Sequence, residues 1–304
     1  MVGATQIIKQ EILFMTDKII LKSIGGFYYV KSGDEIIECK AKGKFRNLSL
    51  SPLAGDIVDT EFDGSTNVIS KIYPRKNKFI RPPFANLDLL ILVASTVEPA
   101  PNFLVLDKMC AIAQHKDVDV AIVITKTDMA EYQQVYDIYS KAGYPVFFTG
   151  ENDEQQLEGL RALMKGKLCA FSGNSGVGKS TLLNKLFPHL QLETGIISKK
   201  LGRGKHTTRQ VEIFQMEDCM VADTPGFSSV ELDYDNFISK TDLQHAFIEF
   251  ADHIGNCKFS DCSHTGEKGC AVKIAVDEGE IPLSRYESYC ALYDRQKNIK
   301  EWEL

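Results

Sequence analysis

Thr125-Lys126-Thr127-Asp128 stands ahead of Gly173-Asn174-Ser175-Gly176-Val177-Gly178-Lys179-Ser180 in this chain. The later stretch matches GxxxxGK[ST] at each defining position and lies between an apolar run, Leu168 to Ser172, and a helical one, Thr181 to Leu186. A strand, a glycine-rich turn and a helix in that order make a phosphate-binding loop. The glycines let backbone N–H groups converge on phosphate oxygens, Lys179 reaches the β and γ phosphates, and Ser180 gives a hydroxyl to Mg²⁺. The tetrad follows another apolar run, Val118 to Ile124. In the ordinary order the phosphate loop comes first, so the inverted order predicts a circularly permuted nucleotide-binding domain.

The remaining parts of such a site can be placed around these two. Guanine presents a ring N–H beside an exocyclic amine, and one carboxylate, Asp128, can accept both, while Lys126 lays its methylene stem along the base. Thr125 stands where the general pattern has Asn, and Thr127 completes the tetrad. Thr181 continues the phosphate-loop helix. Asp223-Thr224-Pro225-Gly226 follows the apolar run Met220 to Ala222, about 40 residues after the phosphate loop. There Asp223 would hold Mg²⁺ together with Ser180, and the Gly226 N–H would sense the γ-phosphate. Phe227 comes next, where Ras-like proteins place the glutamine that orients the attacking water, and an apolar side chain cannot do that work. His206, in Gly202-Arg203-Gly204-Lys205-His206-Thr207-Thr208, is the candidate catalytic substitute, and one of Thr207 and Thr208 would complete the Mg²⁺ shell in the triphosphate state.

Cys257, Cys262, His264 and Cys270 give C-x4-C-x-H-x5-C. Three thiolates and an imidazole close a tetrahedral shell with no open position, so one structural Zn²⁺ per chain is expected. It would supply folding free energy to a C-terminal module with little core. The other cysteines, Cys39, Cys110, Cys169, Cys219 and Cys290, are scattered among apolar segments and read as small buried hydrophobes in a reducing compartment.

The 304 residues are 44% hydrophobic and 25% charged, enough for two or three domains with cores of their own. From Lys18 to Tyr73 short alternating runs are broken by Gly25-Gly26, Gly33-Asp34, Gly55-Asp56 and Asp63-Gly64, which predicts about five strands in a small closed barrel of the oligonucleotide-binding (OB) type. Tyr28 and Tyr29 fall on opposite faces of one strand, so one can face the core and the other a base. Pro82-Pro83 reads as a linker. Beyond it, strands Leu87 to Ala94, Val118 to Ile124, Pro145 to Phe148 and Leu168 to Ser172 alternate with helices in a doubly wound α/β pattern. From about Ile238 the chain turns helical and polar. The expected divisions are residues 1–15, a leader of unknown role; 16–81, the barrel; 84–237, the permuted nucleotide-binding domain; and 238–304, the zinc domain.

The net charge of −6 hides an uneven distribution. Residues 1–84 carry 13 basic against 9 acidic side chains, and the remainder 22 against 32. Lys71 to Arg81 holds five cations and no acid; Lys40, Lys42, Lys44 and Arg46 form a second cluster; and Lys199, Lys200, Arg203, Lys205 and Arg209 flank His206. Such clusters suit a polyanion. The longest apolar run, around Leu89 to Ala94, falls short of the roughly 20 residues that span a bilayer. No membrane partner is expected, and nothing in residues 1–14 reads as a secretory signal.

Taken together, the permuted order, GNSGVGKST, GRGKHTT, DTPGF and the cluster within CKFSDCSHTGEKGC resemble the RsgA (YjeQ or YloQ) family of small-ribosomal-subunit biogenesis GTPases over about residue 16 to the end. The resemblance implies a cytoplasmic, monomeric GTPase with an OB domain, a permuted GTPase domain and a zinc domain. Its expected partners are GTP or GDP with Mg²⁺, the small ribosomal subunit and its ribosomal RNA. It would assist late subunit maturation, with the subunit stimulating hydrolysis and hydrolysis driving release. The alternative is a GTP-controlled rRNA-binding checkpoint or placeholder with little functional hydrolysis, which Phe227 favours.

Overall fold

The computed structural model describes residues 18–43, 45, 50–188, 211–224, 232, 236–297 and 299. Five short strands open the chain: β1 (Ile19–Ile24), β2 (Phe27–Ser32), β3 (Glu35–Ala41), β4 (Val58–Phe62) and β5 (Asn67–Ile72). They are ordered β1-β2-β3-β5-β4, with β3 and β5 parallel and the other pairs antiparallel. An antiparallel bridge between Ile19 and Ile57, with Ile20 N donating to Asp56 O and Val58 N to Lys18 O, brings the far edge back to β1 and closes an OB-type barrel. Ile20, Val30, Cys39, Phe45, Val58 and Ile69 fill it, and Tyr28 packs against them. Tyr29 lies on the other face, with the Lys22 ammonium 5.4 Å from its ring centre.

Pro82-Pro83 does not form a free linker. The two prolines sit in the turn between β6 (Lys78–Phe79) and β7 (Phe84–Ala85), where Phe79 and Phe84 stack at 4.8 Å and are buried in the largest core. The basic run just before it is partly consumed as well. Arg75 chelates the fully buried Asp56 through Nε and Nη2 at 2.7 and 2.8 Å, and Lys76 pairs with Asp88.

The larger half is a six-stranded portion of sheet ordered β10-β9-β8-β11-β13-β12. Its strands are β8 (Leu89–Ser95), β9 (Asp119–Thr125), β10 (Val146–Thr149), β11 (Leu168–Ser172), β12 (Glu212–Gln215) and β13 (Met220–Asp223). All neighbours are parallel except β12 on β13. Both faces of the central strands are covered, which is why β8, β9 and β11 read as unbroken apolar runs. On β8, Leu90, Leu92 and Ala94 face one core while Leu89, Ile91 and Val93 face the other. Helices α1 (Phe103–His115) and α2 (Gln133–Lys141) cover the first side, and α3 (Glu154–Met164) and α4 (Lys179–Leu186) the second. Edge strand β12 then pairs with β1 through Lys22 and Glu212, so barrel and α/β sheet form one 11-stranded sheet.

The C-terminal region contains 3-10 turns at Leu243–Ala246 and Ile248–Phe250, followed by α5 (Ala271–Asp277) and α6 (Leu283–Gln296). The expectation of a module with little core needs correcting. Leu243, Phe247, Phe250, Tyr289 and Leu292 are fully or almost fully buried in the same cluster as α1 and β8, because α6 and the first 3-10 turn lie directly on α1. Among the described residues no helix is long and apolar enough to cross a membrane.

Candidate nucleotide and metal sites

The tetrad closes β9 and the phosphate loop follows β11, with β8 between them, so both lie at the carboxyl edge of the sheet. That edge is where open α/β sheets bind ligands. Gly178 caps α4 in the left-handed region at φ 92°. Gly173 admits no side chain, since a Cβ there would lie 2.4 Å from Val93 O. Lys179 donates from Nζ to Gly173 O at 2.6 Å and Asn174 O at 2.8 Å, folding back over its own loop. Burial pushes its ammonium pKa below the ordinary lysine value. Asn174, Ser175 and Gly176 are exposed at the loop's tip, Val177 is buried beneath it, and Ser180 and Thr181 occupy the first turn of α4.

Thr125 is buried, and its hydroxyl lies within hydrogen-bonding reach of two carbonyls, Val177 O in the phosphate loop and Ala94 O at the end of β8. The position usually held by Asn thus still ties tetrad to phosphate loop, here through a hydroxyl. Lys126 adopts φ 58°, a conformation costing a non-glycine residue roughly 1–3 kcal/mol. It is held there by Thr96 Oγ1 donating to its carbonyl at 2.7 Å and by its own Nζ donating to Glu98 O at 2.7 Å. Thr127 N donates to Thr149 O, and Asp128 is exposed, with no packing that would stop it receiving a ligand. The sequence shows no clear serine-alanine motif at Phe148-Thr149-Gly150, where a loop backing the guanine is expected, so Gly150 is assigned no role from it; Asp153 and Lys185, which hold Gly150 beside the tetrad, carry no local signal.

Asp223 ends β13, the parallel neighbour of β11, and so emerges on the same edge as Ser180. These oxygens suit Mg²⁺, which takes one or two protein ligands beside phosphates and water. His206, Thr207, Thr208, Gly226 and Phe227, with the basic flank from Lys199 to Arg209 and with Lys44 and Arg46, lie outside the described residues.

At the second site the ligand atoms of Cys257, Cys262, His264 and Cys270 all lie within 4.8 Å of one another. His264 Nδ1 is 3.5 Å from Cys257 Sγ and 3.4 Å from Cys270 Sγ, and those sulfurs are 3.9 Å apart. Bonds of about 2.3 Å to sulfur and 2.0–2.1 Å to nitrogen at tetrahedral angles require edges of about 3.8 and 3.6 Å, so the donor set fits Zn²⁺. His264 Nε2 faces Gln244 Oε1 at 2.8 Å; an amide oxygen only accepts, so Nε2 carries the proton and Nδ1 keeps its lone pair for the metal. Burial lowers the His264 pKa, favouring that neutral form, and pushes the Cys262 thiol up to about 12. A bound dication offsets the second effect by stabilising thiolate. Ala271 N already donates to Cys257 Sγ at 3.3 Å.

A third polar cluster has no counterpart in the sequence reading. Arg285 is fully buried on α6, donates to both oxygens of Glu249 at 2.6 and 3.0 Å, and reaches Asp107 Oδ1 on α1 at 2.8 Å. Tyr139 OH donates to the same Asp107 oxygen at 2.9 Å. Desolvation alone would lower the guanidinium pKa, but Glu249, Tyr144 and Asp107 outweigh it and raise it.

A phosphate loop preceded by its base-reading tetrad, on a doubly wound sheet whose edge joins an OB-type barrel, defines a circularly permuted GTPase. Comparison with known proteins narrows this. The RsgA GTPase family model matches residues 72–233 and the RsgA N-terminal domain model residues 19–69. The small ribosomal subunit biogenesis GTPase RsgA of Alkaliphilus metalliredigens is 41% identical over 290 residues, spanning 93% of this chain and 98% of the relative. The protein of the same name from Clostridium botulinum (strain Kyoto / Type A2) is 40% identical over 291 residues, spanning 93% and 99%. Among solved structures, YjeQ from Thermotoga maritima superposes with a TM-score of 0.77 at 31% identity, covering 93% of this chain and 99% of its own. YloQ, described as a circularly permuted GTPase, gives 0.75 at 33%, covering 93% and 95%. The chain belongs to the RsgA family of GTPases.

Proposed function

We propose that this GTPase docks on the small ribosomal subunit in its GTP state, contacts ribosomal RNA, assists late maturation, and leaves when the subunit stimulates hydrolysis. The observation that carries the reading is the pairing of β12 with β1. The strand that follows the basic segment Lys199 to Arg209 is hydrogen-bonded into the barrel, so nucleotide site and barrel share one sheet. In this reading residues 16–81 bind RNA, 84–237 bind GTP or GDP, and 238–304 hold Zn²⁺ on Cys257, Cys262, His264 and Cys270. Residues 125–128 and 173–181 with Asp223 and Gly226 form the nucleotide site, and Ser180 and Asp223 hold Mg²⁺, which neutralises phosphate charge when bound. His206 orients the water that Phe227 cannot. The protein acts in the cytoplasm as a monomer.

The test compares GTP turnover with and without purified small subunits, and subunit binding across a salt series. Expected are a strong rise in turnover with subunits and a steep loss of binding between 50 and 200 mM salt, roughly 10³-fold or more for six or more phosphate contacts. Turnover that subunits leave unchanged, with GTP-dependent binding intact, selects instead the checkpoint reading that Phe227 favours, in which nucleotide gates binding and hydrolysis is incidental.

A further inference from the structure

The geometry points to the Asp153–Lys185 ion pair as a positioning bracket that sets guanine specificity from outside the nucleotide site. It rests on the reading of Asp128 as the acceptor of the guanine edge. The loop from Thr149 to Asp153 joins β10 to α3. Thr149 is aligned with Thr125 across the β9–β10 pair, and its carbonyl accepts from Thr127 N at 3.3 Å. Gly150 then passes so close to the tetrad that a Cβ on it would lie 2.6 Å from Thr127 Oγ1 and 3.0 Å from both the backbone N and Oδ1 of Asp128. Its peptide backbone therefore forms a wall beside the Asp128 carboxylate.

Both polar groups of Gly150 are taken up by the same ion pair. Asp153 Oδ2 accepts from Gly150 N at 3.1 Å, while Lys185 Nζ donates to Gly150 O at 2.8 Å and to Asp153 Oδ2 at 2.8 Å. The Asp153 side chain is 9% exposed and that of Lys185 36%. Lys185 is on α4, the helix whose first residue is the phosphate-binding Lys179. The pair thus fastens the loop beside Asp128 to the helix that begins at Lys179. With the wall fixed, the carboxylate is aimed before guanine arrives, and the base loses no affinity to ordering the loop. With the wall loose, phosphate binding persists and base reading suffers. The packing of α3 on α4 does not depend on this pair: Leu157, Leu160, Leu182, Leu183 and Leu186 share one core, and Arg161 caps Lys185 O and Leu186 O.

The experiment uses the full chain with Lys185→Met and Asp153→Asn, measuring affinity for GDP and for inosine diphosphate, which lacks the exocyclic amine, and separating KM from kcat for GTP. Expected are an approximately tenfold loss of GDP affinity, a GDP-to-inosine-diphosphate ratio falling toward one, and a raised KM with kcat retained. The double variant should cost no more than the worse single one, because both break one bracket. An unchanged ratio in both variants, or GDP and inosine diphosphate weakening in parallel, overturns the proposal. Should Lys185→Met fail to fold, the near-isosteric Asp153→Asn carries the test. Asp128→Asn, measured alongside, separates the two readings. Failure to shift preference toward xanthosine diphosphate sinks the base assignment, whereas a shift there with unchanged ratios in the bracket variants sinks the bracket alone.

Discussion

Thr125 illustrates how one side chain can join two motifs that lie far apart in sequence. Its single hydroxyl proton goes to Val177 O, and the buried setting gives that bond more weight than an exposed one. Thr125→Val keeps the shape and leaves the Val177 carbonyl without this donor. We expect GDP affinity to fall by a factor of about 5–10, the equivalent of one net hydrogen bond of about 1 kcal/mol, readable by titration calorimetry. Arg285 is the opposite kind of residue, fully buried in the fold and part of neither motif. Arg285→Met leaves Asp107 and Glu249 buried without their counter-charge, and removing one partner of such a network costs about 3–5 kcal/mol. The urea midpoint should drop accordingly, while replacing all three charges by apolar residues of similar volume should recover most of the loss. A triple variant no more stable than Arg285→Met would show that these charges are not uncompensated once Arg285 is gone.

Elements differed in how plainly the sequence announced them, and the reason is physical. Strands β8, β9 and β11 are buried on both faces, so each appears as an unbroken apolar run and is legible without partners. The barrel strands were legible from short alternating runs and glycine turns, although β1 and β5 each bury two consecutive residues, Ile20 with Leu21 and Val68 with Ile69. The phosphate loop, tetrad and cysteine cluster stand out in the sequence because the chemistry each is read for demands particular residues at fixed spacing, and the structure gathers the four cluster residues. The hairpin β6–β7 was not legible, because two residues per strand leave no period to read and Pro82-Pro83 dominates the local signal. Neither was the contact of α6 with α1, since Asp107 and Arg285 are 178 residues apart; the charged pair Asp107-Lys108 amid the otherwise apolar stretch Leu104 to Ala113 was the local hint. The hairpin's role can be measured. Phe84 is fully buried and stacked on Phe79, so Phe84→Ala should destabilise by about 3–5 kcal/mol. Lys78→Ala on the exposed side of β6 should change stability by under about 0.5 kcal/mol. Similar thermal shifts for both would mean that this hairpin is not part of the core.

At the scale of the molecule, the candidate metal site and the candidate nucleotide site are connected through α1. His264 is oriented by Gln244, which sits in the 3-10 turn Leu243–Ala246; Leu243 and Ala246 of that turn are buried in the same cluster as α1. From the other side Arg285 grips Asp107 in the middle of α1. The Asn102 cap of α1, which accepts from Val105 N, lines with Val105, Leu106 and Met109 a cleft shared with Gly173, Asn174 and Val177 of the phosphate loop. Zinc affinity in such a site is folding free energy for whatever the site holds together. Here that includes the packing partner of α1 as well as the C-terminal turns. Stripping the metal with a chelator should therefore release about one Zn²⁺ per chain and lower amide protection in α1 and α6, while β2 and β3 of the barrel, whose core is separate, keep theirs. GDP affinity should fall with it, because a loosened α1 no longer braces the cleft beside the phosphate loop. Hydrogen exchange resolved by segment distinguishes this from an autonomous zinc module. In that case protection would be lost from residue 238 onward and α1 would exchange as before.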